Sequence, residues 1–128
     1  MNVKKKLLVT GGSGTLGSSI IKLAIESGRY EVRTISTDPE KHNFPTDCTV
    51  FKSNLATGEG LKNALLGVDF VIHCASSASD TRQVDYEGTA NLLKALDEEA
   101  IENLIYVSIV GIDDSTFLII WLSYKSSS

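Results

Sequence analysis

The octapeptide Thr10-Gly11-Gly12-Ser13-Gly14-Thr15-Leu16-Gly17 carries the strongest structural signal in this chain. It follows a short apolar run at residues 6–10, as expected for a strand that is covered on both faces. In the segment after it, Leu16, Ile20, Leu23 and Ala24 include apolar pairs at helical spacings of three and four residues. This order predicts a buried strand, a tight glycine turn and an amphipathic helix over 15–27.

Each glycine of the turn has a separate physical task. Gly11 lets the chain turn sharply off the strand, Gly14 lets a pyrophosphate approach the backbone, and Gly17 lets the helix pack closely on the strand. The unpaired N–H groups of the first helical turn then face the anion at the positive end of the helix dipole. A flexible connection is the alternative, but the strand before it and the helix after it favour a dinucleotide site. The predicted phosphate-binding residues are Gly11, Ser13, Gly14, Thr15, Leu16 and Gly17.

The rest of the chain alternates apolar runs with helical patterns, which is typical of a parallel α/β sheet. Further strands are predicted at 31–36, 49–52, 70–74 and 103–108, with helices at 60–66 and 85–99 and a loop at 37–48. We therefore expect a Rossmann-like parallel sheet with helices on both faces, truncated after about the fifth strand. Residues 1–113 would form this incomplete NAD(P)-binding domain, and 114–128 an apolar and serine-rich tail.

Composition excludes several other classes of protein. The chain has 128 residues and a net charge of −4, which disfavours a general nucleic-acid or membrane-surface binder. No run approaches the roughly 20 apolar residues of a membrane helix, and no signal peptide is visible. Cys48 and Cys74 lack metal-ligand spacing, so we expect two free thiols, no metal and a cytoplasmic protein.

The end of the second predicted strand governs the choice between NAD and NADP. An acidic residue there would bind the ribose 2′-hydroxyl, whereas an arginine would bind a 2′-phosphate. The chain offers Ser36 and Thr37, with Asp38 just beyond and Arg33 and Lys41 nearby. Hydroxyls can donate to a phosphate and no carboxylate occupies the strand end, so the sequence favours NADP slightly over NAD.

Four further motifs carry a family resemblance. They are Asn54-Leu-Ala-Thr-Gly58, Val71-Ile-His-Cys-Ala-Ser76, Val84-Asp-Tyr-Glu-Gly-Thr89 and Tyr106-Val-Ser-Ile-Val-Gly111. Together with the glycine turn, they resemble the atypical and extended short-chain dehydrogenases/reductases, in the NmrA-like and epimerase-like branch. The resemblance covers residues 3 to about 113, which corresponds to the N-terminal half of such proteins.

The resemblance implies a role for several residues. Asn54 stands where the family usually has an aspartate near the adenine ring, with Leu55 beside it. The segment along the adenosine ribose comprises Cys74, Ala75 and Ser76. Ser108 would lie beneath the nicotinamide.

The family's catalytic pair is a tyrosine four residues before a lysine, and the printed sequence lacks that spacing. Tyr124 and Lys125 are adjacent instead, and Ile109 aligns where many relatives carry a serine. His73 lies inside an apolar strand, so we expect a buried structural histidine and not a base. The catalytic residues are therefore unknown.

The tail suggests a frame slip. Residues 117–123 can be encoded TTC CTT ATT ATT TGG CTA AGT, and one added T gives Phe-Pro-Tyr-Tyr-Leu-Ala-Lys, which restores the tyrosine–lysine spacing. As written, the apolar run 117–122 could add a strand to the edge of the sheet, within one chain or between two. The second arrangement would produce a homodimer.

Two functions remain open at this point. The first is an NAD(P)-binding protein of the short-chain dehydrogenase/reductase or epimerase type, catalytically incomplete as written, with an unknown small-molecule substrate. The second is a non-catalytic module that senses the NAD(P) redox state and docks to a partner, and a product without function is a third possibility.

Overall fold

The computed structural model describes residues 4–11, 15–74, 90–96, 103–109 and 117–123, and only the backbone for 15, 16, 103–109 and 117–123. Along the chain the elements are β1 (Lys5–Thr10), α1 (Thr15–Ser27), β2 (Tyr30–Ser36), β3 (Cys48–Lys52), α2 (Leu61–Leu65), β4 (Phe70–Cys74), α3 (90–96), β5 (Asn103–Ile109) and β6 (Phe117–Ser123). The predicted strands and the first two helices agree with these bounds to within one residue at each end. The helix predicted over 85–99 is described at 90–96, and its remaining residues lie outside the described ranges.

The six strands of the described residues form one sheet in the order β3-β2-β1-β4-β5-β6. The first five are parallel to one another, with Val9 of β1 opposite Thr34 of β2 on one side and Ile72 of β4 on the other. The chain therefore places β2 and β3 on one side of β1 and then places β4 and β5 on the other side. This is the predicted Rossmann-like arrangement, and it is confirmed.

β6 is antiparallel to β5, with Phe117 opposite Ile109 and Ser123 opposite Asn103. Of the two arrangements open from the sequence, the added strand is therefore the one within a single chain. The sheet continues one strand beyond the fifth, so among the described strands β6, and not β5, lies at the edge opposite β3.

Helices cover both faces of the sheet, as predicted. Alternate residues of β1 point to opposite sides, so Leu7 and Val9 pack against α1 while Leu8 faces α2 and α3. The core on the α1 face contains Leu7, Val9, Ile21, Ala24, Val32 and Cys48. The core on the opposite face contains Leu8, Ile35, Leu61, Ala64, Leu65, Val68, Val71, Leu92 and Leu96.

A reciprocal pair of hydrogen bonds aligns the beginnings of β1 and β4. The backbone N–H of Lys6 donates to Asp69 Oδ2 at 2.8 Å, and the N–H of Asp69 donates to the Lys6 carbonyl oxygen at 2.9 Å. These bonds fix the register of two strands that lie more than sixty residues apart in sequence. None of the described helices is long and apolar enough to cross a membrane.

Candidate functional site

The carboxyl ends of the five parallel strands meet at one edge of the sheet. That edge brings together the predicted site residues Gly11, Ser36, Thr37, Asn54, Leu55, Cys74 and Ser108. β1 and β4 are neighbours there, at the point where the strand order reverses. In open α/β sheets, the crevice outside the strand ends at such a reversal is where ligands bind.

Gly11 turns off the end of β1 with φ of +70°, a conformation that favours glycine. A Cβ added to Gly11 would lie 2.7 Å from the carbonyl oxygen of Cys74, at the end of β4. Glycine is therefore required twice, by the backbone angle that the sequence predicted and by a close approach between strands that it did not predict.

The start of α1 is suited to an anion. Thr15 and Leu16 open the helix, and Gly17 is buried, as close packing on the sheet requires. The first turn carries no acidic residue, so no carboxylate of the turn itself competes for its N–H groups or opposes the binding of an anion at this end of the helix dipole. Ser13 and Gly14 lie outside the described residues.

A buried hydrogen-bond network holds the ends of β1 and β4 together. Thr10 Oγ1 and His73 Nδ1 form a hydrogen bond of 2.5 Å, and the backbone N–H of Cys74 donates to the same Oγ1 at 3.1 Å. Thr10 is fully buried and His73 is 5% exposed. Burial lowers the pKa of His73 to about 4, so its imidazole is neutral at physiological pH. His73 is thus a buried histidine, as predicted.

The end of β2 presents hydroxyl groups. Ser36 Oγ accepts a hydrogen bond from the N–H of Asp38 at 3.1 Å, and Thr37 is exposed. The N–H of Lys41 donates to the carbonyl oxygen of Asp38 at 3.1 Å, which places both residues on one tight turn beyond the strand.

Arg33 lies near the predicted 2′-phosphate position in sequence, but its side chain binds a different part of the fold. Its Nη1 donates to the carbonyl oxygens of Ala64 at 3.0 Å and Leu66 at 2.8 Å, and its Cζ lies 5.2 Å from the centroid of the Phe51 ring. It thus satisfies carbonyl groups at the C-terminal end of α2. Strand alternation puts this side chain on the α2 face of the sheet, where it stacks on an aromatic ring.

After β3 the chain folds into a tight turn over residues 54–59. The N–H of Asn54 donates to the carbonyl oxygen of Glu59 at 2.8 Å, and the N–H of Gly58 donates to that of Asn54 at 2.8 Å. The side-chain Oδ1 of Asn54 accepts from the N–H of Ala56 at 2.9 Å. An aspartate at this position could accept the same bond, so either residue is compatible with this turn. Leu55 is half-buried and packs on the core of the α2 and α3 face.

Asn91 of α3 contacts this turn, and sequence reasoning missed it. Its Nδ2 donates to the carbonyl oxygens of Leu55 at 2.8 Å and Ala56 at 3.0 Å. The available signal was an asparagine inside an amphipathic helix, where that residue is a poor helix former.

The remaining predicted residues are the two cysteines and the residues at the ends of β4 and β5. Burial raises the pKa of both thiols, Cys48 and Cys74, to about 11, and both cysteines are free. Ser108 lies one residue before the end of β5, and Ala75 and Ser76 fall outside the described residues. Among the described residues, no cluster of three His, Cys, Asp or Glu side chains could hold a metal ion.

Residues 11–124 match a family model described as NAD(P)H-binding. The chain belongs to this NAD(P)H-binding family. The glycine turn, the switch in strand order and the start of α1 described above lie inside the matched segment or at its border.

Similar proteins place the chain within the short-chain dehydrogenase/reductase and epimerase group. The photosystem II assembly factor Ycf39 of Synechocystis sp. is 34% identical over 111 residues, which are 82% of this chain and 34% of that protein. Vestitone reductase from alfalfa shares 30% identity with a TM-score of 0.64, over 80% of this chain and 36% of that one. UDP-N-acetylglucosamine 4-epimerase from Bacillus cereus shares 27% identity with a TM-score of 0.65, over 80% of this chain and 36% of that one. The chain spans about a third of the length of each.

Proposed function

We propose that this chain forms the dinucleotide-binding half of an NAD(P)-dependent reductase or epimerase. The observation that carries the proposal is the close approach of Gly11 to Cys74 at the reversal of strand order, beside an α1 start without acidic residues. Gly11 is exposed at this point, and the start of α1 supplies the positive end of a helix dipole; both favour the binding of a pyrophosphate.

The proposed arrangement runs along the carboxyl edge of the sheet. The pyrophosphate would lie on Gly11, Ser13, Gly14, Thr15, Leu16 and Gly17. The adenosine would lie between Ser36 and Thr37 on one side and Asn54 and Leu55 on the other, with Cys74, Ala75 and Ser76 along its ribose. The nicotinamide, which supplies hydride transfer when bound, would face Ser108 at the end of β5.

We propose a preference for NADP over NAD. Neither Ser36 nor Thr37 is acidic, and Ser36 Oγ, which accepts from Asp38, keeps its own proton to donate to a phosphate oxygen. Lys41 is exposed on the adjoining turn and adds a positive charge near this position. Arg33 takes no part, because it binds the end of α2.

Calorimetric titration of the folded protein with NADPH and NADH tests both parts of the proposal. We expect micromolar dissociation constants and a several-fold preference for NADPH. Equal affinity, or tighter NADH, contradicts the cofactor preference alone. The absence of heat with either ligand, from a sample with a cooperative unfolding transition, contradicts the binding function.

A non-catalytic role is the second candidate, ranked below the enzyme, and the name of one relative suggests it. The relative with 34% identity is named as an assembly factor and not as an enzyme. A module of this kind would bind NAD(P) and dock to a protein partner. A tyrosine–lysine pair restored in the gene would favour the enzyme, and a confirmed sequence without it would favour the module.

Two further proposals concern assembly and location. The outer edge of β6, whose sequence Phe117–Ser123 has no charged residue, proline or glycine, would pair with a second chain and give a homodimer. Light scattering at high micromolar concentration would show a dimer mass, whereas a clean monomer contradicts the proposed dimer.

The proposed compartment is the cytoplasm. The free thiols of Cys48 and Cys74 suit its reducing conditions.

A further inference from the structure

The turn over residues 54–59 is fixed from outside as well as from within. Its internal bonds involve Asn54, Ala56, Gly58 and Glu59, but two of its carbonyl groups, those of Leu55 and Ala56, point toward α3. Both accept from the single amide nitrogen of Asn91, at 2.8 and 3.0 Å. Asn91 therefore ties this turn to α3.

The chemistry of this contact admits few side chains. Two carbonyl oxygens need a group that donates two hydrogens and carries no negative charge, and the amide of Asn91 does so. Gly58 lies against the same side chain, since a Cβ built on it would be 3.8 Å from Asn91 Cγ. The amide is thus half-buried between the turn and its own helix, and the neighbouring Leu92 is fully buried in the core.

We infer that Asn91 is a positioning residue for the adenosine end of the cofactor site. The inference rests on the proposed function, in which Asn54 and Leu55 border the adenosine. Asn91 itself touches the back of the turn and acts only by holding it. The pyrophosphate end depends instead on Gly11 and the start of α1, which Asn91 does not contact among the described interactions.

Because Asn91 contacts the turn at the adenosine end and not the phosphate end, two ligands that occupy different parts of the site can test its role. The folded protein is titrated with ADP, which carries adenosine and a diphosphate, and with inorganic pyrophosphate, which occupies only the phosphate turn. Three variants are compared with the unchanged chain: Asn91→Ala, Asn91→Asp and the matched control Asn63→Ala. Asn63 is exposed on α2, and its side chain makes no hydrogen bond to the described residues.

We expect Asn91→Ala to weaken ADP binding about tenfold, because losing two hydrogen bonds of ordinary strength releases the turn. Asn91→Asp should weaken it at least as much, since a carboxylate would face two carbonyl oxygens. Asn91→Asp is isosteric, so a loss of ADP affinity shared by both variants follows from the missing donor and not from an empty space. Retained pyrophosphate binding shows that a variant is folded. Pyrophosphate affinity should stay within about twofold in every variant, and Asn63→Ala should match the unchanged chain.

Three results would overturn the inference, and they are distinguishable. Unchanged ADP affinity in both Asn91 variants shows that the turn keeps its place without the amide. Equal losses for ADP and pyrophosphate show that Asn91 supports only the fold in general. If the unchanged protein binds neither ADP nor NADPH, the proposed function fails and the inference fails with it.

Discussion

The imidazole of His73 and the hydroxyl of Thr10 form a hydrogen bond of 2.5 Å between the ends of two adjacent parallel strands. The same hydroxyl accepts the N–H of Cys74, so one buried side chain joins β1 to β4 where the proposed site begins. The network tolerates a neutral imidazole and disfavours a charged one, because burial lowers the pKa of His73 to about 4.

Stability should therefore fall in acid. An unfolded histidine titrates near 6.5, so the unfolded chain binds a proton that the folded chain rejects between pH 6.5 and about 4. The stabilisation is fully present above pH 6.5 and is lost as the pH falls toward 4, to a total of about 3 kcal/mol. Urea unfolding at pH 7.5 and 4.5 should show a larger loss for the unchanged chain than for His73→Gln. Equal losses in the two proteins would show that this imidazole does not titrate on unfolding.

Gly11→Ala and Gly28→Ala form a matched pair, since both glycines have φ of +70°. Gly28, which follows α1, has nothing within 4 Å of an added Cβ, whereas at Gly11 that atom would meet the Cys74 carbonyl. We expect Gly28→Ala to cost about 1 kcal/mol of stability with NADPH affinity unchanged. Gly11→Ala should lower stability by more than this and abolish NADPH binding. Thermal unfolding measures the first effect and calorimetry the second. NADPH binding retained by Gly11→Ala would contradict the proposed phosphate turn.

Arg33→Ala and Lys41→Ala should separate stability from cofactor choice. Arg33→Ala removes two charge-assisted hydrogen bonds and a stacked ring contact, and should lower the free energy of unfolding by about 3 kcal/mol. The ratio of NADPH to NADH affinity should remain the same. Lys41→Ala should leave stability unchanged and weaken NADPH several-fold without affecting NADH. The reverse pattern would place Arg33, and not Lys41, at the ribose.

Sequencing the gene around codon 117 checks the frame-slip hypothesis. We expect a run of T bases at which one added base restores Phe-Pro-Tyr-Tyr-Leu-Ala-Lys and an open frame continues beyond it. A protein made from that frame should acquire reductase or epimerase activity. Replacing the first tyrosine of the restored string, the one four residues before its lysine, with phenylalanine should remove that activity. A shifted frame that lacks the tyrosine or stops at once would contradict the hypothesis.

Regular elements were predictable because their signals are local. The apolar runs of β1 and β4 and the periodicity of α1 are contained in five to thirteen residues, and Gly11 and Gly28 mark the ends of β1 and α1. The side-chain contacts could not be predicted, because they join residues that are far apart in sequence. Nothing near Arg33 shows that it binds the end of α2, and nothing near Asn91 shows that it faces a turn some 35 residues earlier.

The same separation in sequence affects how the protein emerges from the ribosome. β1 is synthesised before its partner β4, which is aligned with it by the mutual bonds of Lys6 and Asp69 and follows about sixty residues later. At ordinary translation rates this is a delay of roughly 3 to 12 seconds. During that interval Leu7, Leu8 and Val9 have β2 on one side only, so the nascent chain presents an apolar strand edge. Chaperone demand should therefore be highest before β4 is made and should fall once the centre of the sheet closes.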